Sequence, residues 1–221
     1  MGIAQRGMAF LIKEAKRQLD LQQLSLLLQD RPEYHAPKWH VHGVLGHIYN
    51  VIVAAERLGH LTSVDIVNAA IFHDIGKIHQ FPRALKAFES GQDGSIKYLA
   101  HEQLSATIAA RNRLNRNDCA IIGSHQHAYD QARVTTILRK IGCEPGKSPA
   151  MFKRWMVLCA ADAVGKGFTP EQAKQRPFIA MKFREVADVI GLRIDDRVLS
   201  TCCEAAEFWE PIPREQLPKF R

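Results

Sequence analysis

Apolar residues recur along nearly the whole chain at three- and four-residue intervals, the spacing of helices that bury one face. Over about 4–29, Phe10, Leu11, Ala15, Leu19, Leu21, Leu24, Leu27 and Leu28 predict one helix, ended by Asp30-Arg31-Pro32. Residues 33–43 read as a loop with Pro37, Gly43 and three histidines. A helix is predicted from about Leu45 to Leu58, closed by Gly59. Thr62 or Ser63 is placed to cap another that reaches about Phe72. After His73-Asp74-Ile75-Gly76-Lys77 comes a polar segment containing Pro82, Ser90, Gly91 and Gly94. It predicts a long, lid-like loop with at most a short helix over Arg83–Phe88.

Further helices are predicted near 100–114, 117–128 and 132–141, with a break from Gly142 to Pro149. A strongly apolar helix follows from about Ala150 to Val164. Thr169-Pro170-Glu171-Gln172 has the layout of a capping box with proline at the first helical position, and helices near 178–190 and 195–209 end the pattern. Alternating strand patterns and repeats are absent, so the expected fold is all-α.

Composition narrows this reading. The chain has 221 residues, 46% hydrophobic and 24% charged, enough for one domain with a sizeable core. No apolar run reaches the roughly 18 residues that span a membrane. The five cysteines are odd in number, form no CxxC and follow no secretory signal, so a reduced, cytoplasmic setting is expected. The net charge of +7 favours polyanionic partners such as nucleotides or nucleic acid.

Candidate chemistry lies where apolar helices meet abrupt charge. Asn68-Ala69-Ala70-Ile71-Phe72 leads into His73-Asp74, and Met156 to Ala161 leads into Asp162. A carboxylate carried into a core this way is costly unless a cation meets it. His47, His101 and His125 also sit beside apolar helices. Imidazole and carboxylate together suit divalent ions such as Fe, Mn, Co, Ni or Zn. The bland alternative for Asp162 is a pair with Lys166 four residues on. His127 stands two residues from His125, so one helix would point them apart. His40 and His42 precede the His47 helix and are placed to reach a site there, whereas His35, His60 and His79 have no special spacing.

These stretches, in order, resemble the HD superfamily of metal-dependent phosphohydrolases, whose signature H…HD…D reads here as His47…His73-Asp74…Asp162. The similarity is nearest to the HD domain attached to bacterial CCA-adding tRNA nucleotidyltransferases. It is carried by Trp39 to His47, His73 to Lys77, His101-Glu102-Gln103-Leu104-Ser105-Ala106 and Ala161 to Gly167. The resemblance covers roughly 39–168, with 1–38 as an N-terminal helix and loop on that core and 169–221 as a C-terminal helical extension. It implies an HD-domain helical bundle with additional C-terminal helices. It implies that His47, His73, Asp74 and Asp162 hold one divalent ion, and His101 and His125 a second, from Mn, Ni, Co, Fe or Mg. Lys77 would act with Asp74 in catalysis and contact phosphate, and His42 and His127 would contact substrate. Residues 1–38 are too short for a nucleotidyltransferase domain, so only hydrolysis carries over.

The implied activity is hydrolysis of phosphate mono- or diesters of nucleotides or RNA ends, of the 2′,3′-cyclic phosphodiesterase or phosphatase type. Alternatives are a 5′-nucleotidase or nucleoside triphosphate hydrolase, and an HD-type di-iron oxygenase. The sequence leaves a homodimer open.

Overall fold

A computed structural model describes residues 2–91, 95–143, 149–192 and 196–221. Gly94, residues 144–148 of the expected break and residue 195 at the start of the last expected helix lie outside them. The described residues form helices and turns, with no strand among them: α1 (Ile3–Gln18), α2 (Leu21–Leu28), α3 (Val44–Thr62), α4 (Val67–Phe72), α5 (Ile75–Glu89), α6 (His101–Arg111), α7 (Arg116–Ile122), α8 (Val134–Ile141), α9 (Ala150–Lys166), α10 (Pro170–Ile190) and α11 (Arg197–Phe208). The fold is all-α, as the periodicity predicts.

The bundle is organised around α9. Every residue from Trp155 to Lys166 is buried, as a helix apolar on all sides requires. Its main partner is α3, and α11 packs on both. Gly165 on α9 lies close against α3, where a side chain would run into Val51 and the His47 ring. On the other flank α5 packs on α6, α6 on α7, and α4 on α3. Gly76 allows the α5–α6 approach: a Cβ would meet the His101 carbonyl.

Several boundaries differ from the sequence reading, each for a local reason. The expected helix over 4–29 breaks at Leu19, which is extended, and Asp20 recaps α2 by accepting from Gln23 N at 2.8 Å while Gln23 returns a bond to Asp20 N. Gly59 does not close α3. The helix runs on to Thr62, whose hydroxyl donates back to Leu58 O at 2.6 Å instead of capping α4, and Ser63 ends it at φ 57°.

The first part of the expected lid, to Glu89, belongs to α5, which continues through Pro82. An interior proline costs roughly 3 kcal/mol. The buried stripe Ile75, Ile78, Phe81 and Leu85 offsets that, and Arg83, Lys86 and Glu89 are on the helix's exposed face. The expected 117–128 helix stops at Ile122, and His125–Ala128 form a separate 3-10 turn. The capping box at Thr169 and the helix expected near 178–190 belong to one helix, α10, which holds Pro177 in its interior and whose cap, Thr169 Oγ1, accepts from Gln172 N at 3.1 Å.

The start of α3 matters most for the site, since His47 lies in its first turns. Gly43 occupies the cap position and has no side chain to offer. Asp30 caps from afar: its Oδ1 accepts from Gly46 N at 2.7 Å, and its carbonyl accepts from Gly43 N. Asp30→Ala leaves that buried N–H without an acceptor and is expected to lower stability by about 1–3 kcal/mol. Asp30→Asn keeps an acceptor and tolerates the residue's positive φ, so denaturant melts should place it closer to wild type than to the alanine variant. Equal losses in the two variants would contradict the capping role.

Candidate metal centre

Helix ends build this site. α4 stops at Phe72, so His73 and Asp74 fall in the turn between α4 and α5, fully buried. α7 stops at Ile122 and places His125 just past its end. The last carbonyls of a helix lack intrahelical partners. Here they orient imidazoles: His73 Nδ1 donates to Ala70 O at 2.7 Å, and His125 Nδ1 to Ile122 O at 2.7 Å. His101, at the start of α6, donates from Nδ1 to Tyr98 O at 2.9 Å. A carbonyl only accepts, so each Nδ1 carries its proton and each ring turns Nε2 to the centre.

The two oxygens of Asp74 face different neighbours. Oδ2 lies 3.2 Å from His47 Nε2 and 3.4 Å from His73 Nε2; Oδ1 lies 3.1 Å from His101 Nε2 and 3.8 Å from His125 Nε2. Asp162, from α9, approaches His47 Nε2 at 3.0 Å and His73 Nε2 at 3.7 Å. Two groups with metal-binding spacing result: His47, His73 and Asp162, and Asp74, His101 and His125. A third comprises His35, His40 and His47. Its His35 Nε2, however, faces the Lys77 ammonium at 2.8 Å.

Charge at the centre is held in tension. Burial raises the Asp74 carboxyl, but Lys77 at 2.7 Å and His73 outweigh it, so Asp74 stays well below the usual carboxylate range. Burial likewise raises Asp162, and Lys166 at 3.2 Å together with His47 more than reverses it. His47 is disfavoured as a cation by burial, yet Asp162 and Asp74 raise its pKa. Burial pushes His125 down to about 3. None of the four oxygens of Asp74 and Asp162 takes a well-formed hydrogen bond from the described residues. Buried carboxylates ringed by imidazole nitrogens are a donor set suited to divalent cations, and the residues present fit such an ion.

A cavity of about 380 Å³ opens over the centre, and Lys77, His101 and Lys166 reach its floor. His35, His40, Tyr98, Gln126, Tyr129 and Gln172 wall it. His35 and His40 stack with ring centroids 3.6 Å apart, and burial keeps both well below the ordinary imidazole pKa. Lys97 lines this cavity and also a neighbouring groove with Arg83 and Lys86.

The structure brings together His47, His73, Asp74, Lys77, His101, His125 and Asp162. His42 and His127, expected to contact substrate, do not line the cavity. His42 is buried, with burial lowering its pKa to about 4, and lies against the chain near Ile212. His127 turns away to Asp130 at 2.7 Å, because the 3-10 turn aims it opposite to His125. Sequence reasoning missed His35, Gln126 and the cavity role of Lys166. The only signal was the i,i+4 spacing of Lys166 from Asp162, which read as a simple ion pair.

The HD domain family matches residues 44–167, more than half of the 221, and the chain belongs to that family, whose members are in general metal-dependent phosphohydrolases. Comparison with curated proteins and with solved structures gave no match. No helix among the described residues is long and apolar enough to cross a membrane.

An ion that binds only the folded state stabilises it by mass action, about 2.7 kcal/mol at a hundredfold excess over Kd. Mn(II) or Ni(II) added to chelator-stripped protein is therefore expected to raise the thermal midpoint, and Asp74→Ala to lose most of that rise. An undiminished rise in Asp74→Ala would place the ion elsewhere.

Proposed function

We propose that the protein hydrolyses phosphate mono- or diesters on nucleotides or RNA ends, as a phosphatase or 2′,3′-cyclic phosphodiesterase, with one or two divalent ions. The observation that carries this reading is Asp74, whose two oxygens are divided between two acceptor groups. In this reading His47, His73, Asp74 and Asp162 hold the first ion, and Asp74, His101 and His125 the second. Bound there, a divalent ion supplies Lewis acidity toward phosphoryl oxygen and makes water a competent nucleophile near neutral pH.

The chain's own residues do the rest. Lys77 and Lys166 are the cations of the cavity floor, held beside Asp74 and Asp162. With the carboxylate charge met by an ion, both ammonium groups are left to phosphate oxygens, where they offset charge that grows in the transition state. The Nδ1 bonds of His73, His101 and His125 keep the donor set oriented between turnovers. Arg83, Lys86 and Lys97 beside the cavity suit a substrate that extends as a polyanion, which favours an RNA end over a small neutral ester.

The test is a substrate panel on stripped protein reloaded with Mn, Ni or Co: a 2′,3′-cyclic-ended oligonucleotide, 5′-nucleotides, nucleoside triphosphates and p-nitrophenyl phosphate. Hydrolysis should require metal, proceed equally under nitrogen, and fall on the order of a thousandfold or more in Asp74→Ala. Lys77→Met should lower kcat/KM by about ten- to a hundredfold. Wild-type turnover by Asp74→Ala at verified metal content would overturn the reading, and turnover only with oxygen would replace it with the oxygenase alternative.

A further inference from the structure

The two acceptor groups are not equally open. Beside the second, the side-chain nitrogen of Gln126 lies 3.1 Å from His125 Nε2 and 3.4 Å from His101 Nε2. The tautomers decide which end of the amide faces the rings. His101 Nδ1 and His125 Nδ1 each point at a backbone carbonyl and so carry the ring proton. An amide nitrogen only donates, so it meets His125 Nε2 as the acceptor, while His101 Nε2, at the longer distance, also faces Asp74 Oδ1 at 3.1 Å. The first group is different: His47 Nε2 and His73 Nε2 stand 3.2 Å apart, with Asp162 beside them and no amide bonded to either among the described residues.

Resting on the metal centre proposed above, we propose that Gln126 is a latch on the second metal position, its amide bonded to His125 Nε2 beside His101 until an incoming ion displaces it. The latch makes the second ion bind more weakly than the first, since that hydrogen bond is lost on loading. Gln126 is half-buried and lines the cavity, so the displaced amide has space to enter, on the side where a phosphoester would lie. Occupancy of the second position is thereby tied to a side chain that the cavity's contents can touch.

Mn(II) titration of metal-stripped protein, followed by calorimetry and by the EPR signal of free Mn(II), tests this without reference to turnover. Wild type should show one tight and one weaker site. Gln126→Ala should tighten the weaker site by about tenfold or more while leaving the tight site essentially unchanged. An unchanged weaker site overturns the latch, and a loosened one also overturns it, because Gln126 would then be a ligand. A single site in both proteins overturns the latch alone. No Mn(II) binding in either overturns the metal reading and the latch with it. A second measurement does not depend on the variant: imidazole 15N spectra of metal-free wild type should show an Nδ1–H tautomer for His125. An Nε2–H tautomer at that ring removes the basis of the proposal.

Discussion

Two carboxylates, Asp74 and Asp162, lie in the fully buried centre of this bundle, and removing an ionised carboxylate from water costs several kcal/mol even after a protein relaxes around it. Much of the surrounding arrangement follows from meeting that cost. Lys77 and Lys166 stand one helical turn beyond their respective aspartates, three and four residues on, which puts each ammonium against its own carboxylate. His47 comes from α3, and Gly165 on α9 leaves space for its ring. The groups that keep the aspartates ionised therefore come partly from their own helices and partly from α3, and the core around α9 must be complete before the site exists.

Helix termination supplies the remaining precision. A chain that must end α4 and α7 has orphan carbonyls to satisfy, and His73 and His125 satisfy one each. The same bond fixes the tautomer that aims Nε2 inward. Backbone geometry thus sets donor direction, while side-chain packing sets donor distance. The 3-10 turn at His125–Ala128 serves both ends: it directs His125 inward, sends His127 to Asp130 and lays Gln126 across the second acceptor group.

The centre was legible in the sequence wherever local pattern carried it. Apolar runs leading straight into His73-Asp74 and Asp162 announced buried charge, and the motif order supplied His47, His101 and His125. What could not be read came from contacts between distant segments. His35 has no informative spacing, yet it meets Lys77 across 42 positions. Asp30 caps a helix it does not belong to. Pro82, placed in an expected loop, lies inside α5, whose buried stripe carries the helix through it. The basic groove was visible only as scattered lysines and arginines until α5 proved to be a helix that aligns Arg83 and Lys86.

The central claim is that Asp74 joins two cation positions, one on each side of its carboxylate. Anomalous scattering from crystals of the Mn- or Ni-loaded protein addresses it directly. Difference maps at the metal edge should show a peak bounded by His47, His73, Asp74 and Asp162, and at saturating metal a second bounded by Asp74, His101 and His125. Peaks that avoid Asp74, or a loaded crystal whose metal sits only at the protein surface, would contradict the account.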